Sequence, residues 1–186
     1  RKPANVLLVL DTSSSMNDEK RLENAKQGLD AFLSQVAPQD QVGLTMFSDV
    51  ITPLVPVGPF RENKSKLKET VSSLIAEGGT AFYDATAQAY GTVRDLADRD
   101  DRINAVVLLT DGNDNESKRT LSSVVQELER QDDSSTQVRV FTIAYSPGAL
   151  GARKALAEIA AASGGNSYTG DTKNIESVYG KISSFC

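Results

Sequence analysis

Residues 6–15 read VLLVLDTSSS. The apolar run from Val6 to Leu10 has no polar interruption and stops at an acid, Asp11. A short unbroken run of this kind suits a parallel strand covered by helices on both faces, whereas a half-exposed strand alternates. A second such run, Ile103 to Leu109, ends in the same way, in Thr110-Asp111. Two buried strands that each stop at a carboxylate point to a layered α/β sheet with acids at one end.

Outward from these runs, strand and helix signals alternate. Leu22, Ala25, Leu29, Phe32, Leu33 and Val36 recur at helical spacing, and Pro38 closes that helix. Val42, Leu44 and Met46 alternate as a strand. Val50 to Val57 is also extended, but Pro53 and Pro56 cannot donate to a ladder, so it is expected as an edge strand hairpinned to its predecessor. Leu67, Val71, Leu74 and Ile75 mark a second helix ending at Gly78-Gly79, and a third is expected from about Ala81 to Ala97. Leu121, Val125 and Leu128 mark a helix, Val138 to Tyr145 a strand, and Ala155, Leu156 and Ile159 a helix capped by Gly164-Gly165. A short strand near Ser167 and Tyr168 leads to a last helix with Ile175, Val178, Tyr179 and Ile182.

This alternation predicts a doubly wound α/β domain. Its sheet is mostly parallel and six-stranded, with strand 3 an antiparallel edge and about six flanking helices. The common order for such a sheet, 3-2-1-4-5-6, makes the first and fourth strands neighbours at the switch point, where ligands bind beyond the carboxyl ends. Asp11 and Asp111 end those two strands, so under that order they face each other across the crevice.

The 186 residues suit one domain with a full core, and residues 1–186 read as a single domain excised from a longer protein. A net charge of -5 argues against a nonspecific grip on nucleic acid. No apolar run approaches the ~20 residues that span a bilayer, so this segment is not expected to insert in a membrane. The absence of histidine excludes Ser-His and Cys-His catalytic pairs and His-ligated metals. The single cysteine, Cys186, excludes an internal disulfide.

Two carboxylates brought together repel unless a proton or a cation lies between them. Ser13 and Ser15 stand at alternate positions after Asp11, so a looping backbone can turn both hydroxyls toward the carboxylate. Hydroxyl, carboxylate and water oxygens suit a hard divalent cation, and with only two acids they suit Mg²⁺ or Mn²⁺ better than Ca²⁺.

DTSSS at 11–15, GGT at 78–80 and LLTDG at 108–112 together resemble the von Willebrand factor type A (vWA) domain. The resemblance is to its Rossmann-like version with a metal-ion-dependent adhesion site (MIDAS), runs from Val6 to about Ile182, and is closest in style to bacterial members. It implies a metal held by Asp11, Ser13, Ser15, Thr80 and Asp111, directly or through water. One coordination position is left for an Asp or Glu side chain of a partner protein. The implied function is metal-dependent protein binding, not catalysis, in an extracytoplasmic rather than cytoplasmic setting. Some relatives couple binding to displacement of the final helix, with Thr80 as the sensing ligand. Ser14 stands where relatives usually have glycine, and a backbone with φ > 0 there would strain it.

Plainer readings stand beside this one. Ser13 to Ser15 can be a polar turn capping the next helix, Thr80 an N-cap, Asp111-Gly112 an ordinary strand-end turn. Asp84 is read as a first-turn acid complementing a helix dipole and is left out of the metal set. Asn113 to Glu116 lacks the register of a calcium loop and is read, like Asp98 to Arg102, as solvated. The alternative functions are a phosphate- or cofactor-handling enzyme, flavodoxin-like or phosphotransferase-like, and a module whose metal only staples the fold. Against the enzyme, Asp11 repels phosphate, the haloacid dehalogenase D-x-D is absent because its second position is Ser13, and there is no P-loop.

Overall fold

The computed structural model describes residues 2–111, 116–131, 136–145 and 150–169, together with Val178 and Lys181. The opening apolar run forms β1, Ala4–Asp11, with every residue buried. It pairs in parallel with β2 (Gln41–Phe47) on one side. On the other side lies β4 (Ile103–Thr110), also parallel. β3 (Ile51–Pro59) pairs antiparallel with β2. β5 (Val138–Ala144) and β6 (Ser167–Thr169) continue the parallel side, and the order is β3-β2-β1-β4-β5-β6. The expected order, parallel centre and antiparallel edge are all observed.

The described helices are α1 (Arg21–Gln35), α2 (Phe60–Ser73), α3 (Phe82–Arg94), α4 (Leu121–Glu129) and α5 (Leu150–Ser163). Of the expected last helix, Ile175, Tyr179 and Ile182 lie outside the described residues; Val178 is helical and fully buried, and Lys181 is helical.

Side chains alternate across a strand, and here both faces are covered. Val6, Leu8 and Leu10 join Leu29 and Phe32 of α1, Leu67 and Val71 of α2, and Val178 in one layer. Leu7 and Val9 join Phe82 and Val93 of α3, Leu128 of α4 and Leu156 and Ile159 of α5 in the other. Each such burial contributes roughly 1.5–3 kcal/mol, so apolar contact holds the sheet from both sides.

Gly43 shows how the edge is made. A Cβ there would lie 2.7 Å from both the Val55 carbonyl oxygen and the Val57 nitrogen, and the β2–β3 register shifts on either side of Leu44. Glycine lets the edge strand cross close over β2 as a bulge.

Helix ends differ from expectation at α2 and at α3, which stops at Arg94, short of Ala97. α2 stops at Ser73; Leu74 is extended (φ -68°, ψ 141°) and turns back into the core, while Ile75 lies outside the helix and 69% exposed. A short 3₁₀ turn, Ser14–Lys20, separates β1 from α1.

Candidate metal centre

Asp11 is the last residue of β1 and fully buried. Its Oδ1 accepts the Ser13 backbone N–H at 2.8 Å, a local turn that bends the chain as it leaves the strand. Its Oδ2 accepts the Thr110 hydroxyl at 2.6 Å. Leu10 pairs with Leu109 across the β1–β4 ladder, so Asp11 and Thr110 meet one step further along.

Ser13 sits at the N-cap position of the 3₁₀ turn but makes no side-chain cap bond. Its hydroxyl lies 3.1 Å from that of Ser15 instead, and the Ser15 hydroxyl donates to Asp111 Oδ2. A continuous polar chain therefore runs from Asp11 through the two serines to Asp111. The plain capping role for these serines is not what the turn uses them for. Met16, fully buried, pins the turn from below. Ser14 carries no left-handed strain: Lys20 (φ 57°) is the non-glycine residue with positive φ among those described.

Thr80 is 3% exposed and lies one residue before the α3 N-cap, which is Ala81 and makes no side-chain cap bond. The expected capping role of Thr80 is therefore corrected. Its loop is laced to the others through the backbone. Ser14 N–H donates to the Gly78 carbonyl at 2.9 Å, and Glu77 N–H donates to that of Thr12 at 2.8 Å. Ala81 N–H reaches the Ser48 carbonyl at 2.8 Å, and Glu116 N–H reaches the Thr80 carbonyl at 3.0 Å. Glycine suits position 78 because its φ of +87° is a backbone conformation that L side chains rarely adopt.

Burial is the main cause that pushes the Asp11 carboxyl up to about 6; hydrogen bonds from Ser13 and Thr110 oppose it, and the negative charge of Asp111 adds to it. Arg21, the first residue of α1, places Nη1 3.7 Å from Asp111 Oδ2 and donates to the Ser15 carbonyl at 3.3 Å. Among the described residues no group of three or more His, Cys, Asp or Glu could hold a metal. The donor set here is different in kind: two carboxylates supplemented by hydroxyls. Such buried hard oxygen donors fit a small divalent cation.

Sequence reasoning did not assign roles to Thr110 and Arg21. Thr110 had a signal, a hydroxyl at the last position of an otherwise apolar strand beside Asp11. Arg21 had none, because a charged residue at a helix start is ordinary.

The family model of the von Willebrand factor type A domain matches residues 5–181. The chain belongs to this family. The vWA chain is 32% identical over 117 residues to human inter-alpha-trypsin inhibitor heavy chain H4, a match covering 59% of this chain and 12% of that protein. Among solved structures it is similar to an aerotolerance-related membrane protein from Bacteroides fragilis, with TM-score 0.75, 19% identity and 97% and 98% of the two chains covered. It is also similar to mussel-byssus proximal thread matrix protein 1 with a zinc-occupied MIDAS motif, with TM-score 0.72, 19% identity and 97% and 45% covered. These likenesses at low identity concern the fold. vWA domains are for the most part protein-interaction modules.

Proposed function

We propose that residues 1–186 form a non-enzymatic vWA module that binds one Mg²⁺ or Mn²⁺ and offers it to an acidic side chain of a partner protein. Asp11, Ser13, Ser15, Thr80 and Asp111 would hold the ion, and the ion would supply a Lewis-acidic position for an Asp or Glu carboxylate. The observation that carries this reading is the buried pair Asp11 and Asp111, joined through Ser13 and Ser15 at the carboxyl end of the sheet. Arg21 supplies one positive charge beside Asp111, and a divalent cation would compensate the pair of buried acids further. Donors limited to two acids and hydroxyls favour Mg²⁺ or Mn²⁺ over Ca²⁺.

A macromolecular partner is supported by the rim. The exposed large hydrophobics among the described residues, Val50 and Ile75, both lie in segments bordering the Thr80 loop. Solitary exposed apolar residues are ordinary, and two in segments adjoining the Thr80 loop are in keeping with a protein contact there. The reading includes an extracytoplasmic setting, in keeping with the membrane-protein and byssal-thread names of structural neighbours. Among the described residues no helix is long and apolar enough to cross a membrane.

Calorimetric titration of Mn²⁺ into the wild type and Asp11→Ala tests the site. The wild type is expected to bind one ion and the variant none; equal binding by both removes the proposed donor set.

A further inference from the structure

The N-terminus of α3 makes a set of contacts that the metal site does not use. Asp84, in its first turn, accepts the backbone N–H of Lys118 on Oδ2 and that of Arg119 on Oδ1, each at 2.9 Å. Its own N–H donates to the Ser117 hydroxyl at 3.1 Å. Four residues earlier, the Thr80 carbonyl takes the Glu116 N–H at 3.0 Å. Every residue from 116 to 119 is therefore tied to the 80–84 stretch.

An acid in the first turn of a helix ordinarily serves that helix, through its own N–H groups or its dipole. Asp84 is turned instead onto a separate segment. A carboxylate has two acceptor oxygens at fixed spacing, which lets one side chain grip two consecutive N–H groups; an amide offers one acceptor and an alanine none. The gripped segment begins five residues after Asp111, and the gripping segment begins with Thr80. The contact thus spans two of the loops that carry proposed metal ligands.

We propose that Asp84 is a positioning residue for the metal centre: a clasp that holds the Thr80 loop and the Asp111 loop at one spacing without touching the ion. The proposal rests on the metal-binding reading above. Groups that orient metal ligands from outside the coordination shell usually change affinity roughly 10–100-fold when removed. A clasp of backbone N–H groups on a carboxylate also explains why the acid is spent here rather than left to solvent.

The test titrates Mn²⁺ calorimetrically into wild type, Asp84→Asn, Asp84→Ala and Asn104→Ala, with metal-free thermal melts of each. Asn104 lies at the opposite end of the sheet, where its amide donates to the Arg99 and Arg102 carbonyls, so it reports general destabilisation. Asp84→Asn is expected to weaken Mn²⁺ binding about tenfold and Asp84→Ala more, while Asn104→Ala binds as wild type despite a lower melting temperature. Amide exchange at Lys118 and Arg119 is expected to quicken in both Asp84 variants, and this holds as a readout if Asp84→Ala is too unstable to titrate. Wild-type Mn²⁺ affinity in folded Asp84→Asn together with unchanged exchange overturns the clasp while leaving the metal site standing. Absence of Mn²⁺ binding by the wild type overturns the metal reading, and the clasp with it.

Discussion

Asp11 carries an acid where water does not reach, and its titration follows from that. Its carboxyl is raised from 3.8 to about 6 chiefly by burial. Between those values the native metal-free protein holds a proton that the unfolded chain has already lost. The stabilising contribution is full below the unfolded value and is lost as pH rises through about 6, amounting to roughly 3 kcal/mol. Metal-free melts across pH 4–7 are expected to show this decline and Asp11→Asn to flatten it, because the amide does not ionise. Mn²⁺ must displace that proton, so binding is expected to weaken on acidification and to release protons, measurable in buffers of different ionisation enthalpy. The acid itself was legible as the last letter of VLLVLD. Its partner Thr110 was visible but unassigned, since a hydroxyl beside an acid has meaning only once two strands are in register.

At the scale of elements, β1 and β4 could be read because burial on both faces leaves a run with no polar letters to confuse the period. The helices could be read from their apolar spacing, but their ends could not. Leu74 and Ile75 continue the apolar pattern of α2 after its backbone has become extended; one returns to the core and the other faces water. Periodicity registers hydrophobicity and is blind to that change in ψ. The difference has a measurable result. Leu67→Ala, in the fully buried stripe of α2, is expected to cost about 2–5 kcal/mol in denaturant melts. Ile75→Ser should stay within about 0.5 kcal/mol of wild type. A large loss for Ile75→Ser would return it to the helix core. The 3₁₀ turn after β1 was equally hidden, because three serines announce a polar turn without saying which hydrogen bonds close it. Asp84 was legible as a first-turn acid of α3, but its hold on the backbone of Lys118 and Arg119 was not, because a first-turn acid looks the same with or without a second segment against it.

For the molecule as a whole, two apolar layers close the sheet without help from an ion. Melts in EDTA are therefore expected to remain cooperative, with excess Mg²⁺ adding about 1–3 kcal/mol according to its affinity. Unfolding on chelation would make the ion a structural staple instead. The architecture was legible in outline because alternating elements leave few ways to wind a parallel sheet. The lacing of three loops around the site was not, since it runs through backbone groups that every residue possesses.

The margins of the sheet carry a further consequence. β3, on one side, holds Pro53 and Pro56 and bulges where it faces Gly43 and Leu44 of β2; β6, on the other, is three residues long as described. Neither margin offers the long, flat row of free amides and carbonyls on which a second chain could template itself. Among the described residues, crowded copies therefore find no ready template for strand-by-strand stacking or fibrils at either margin.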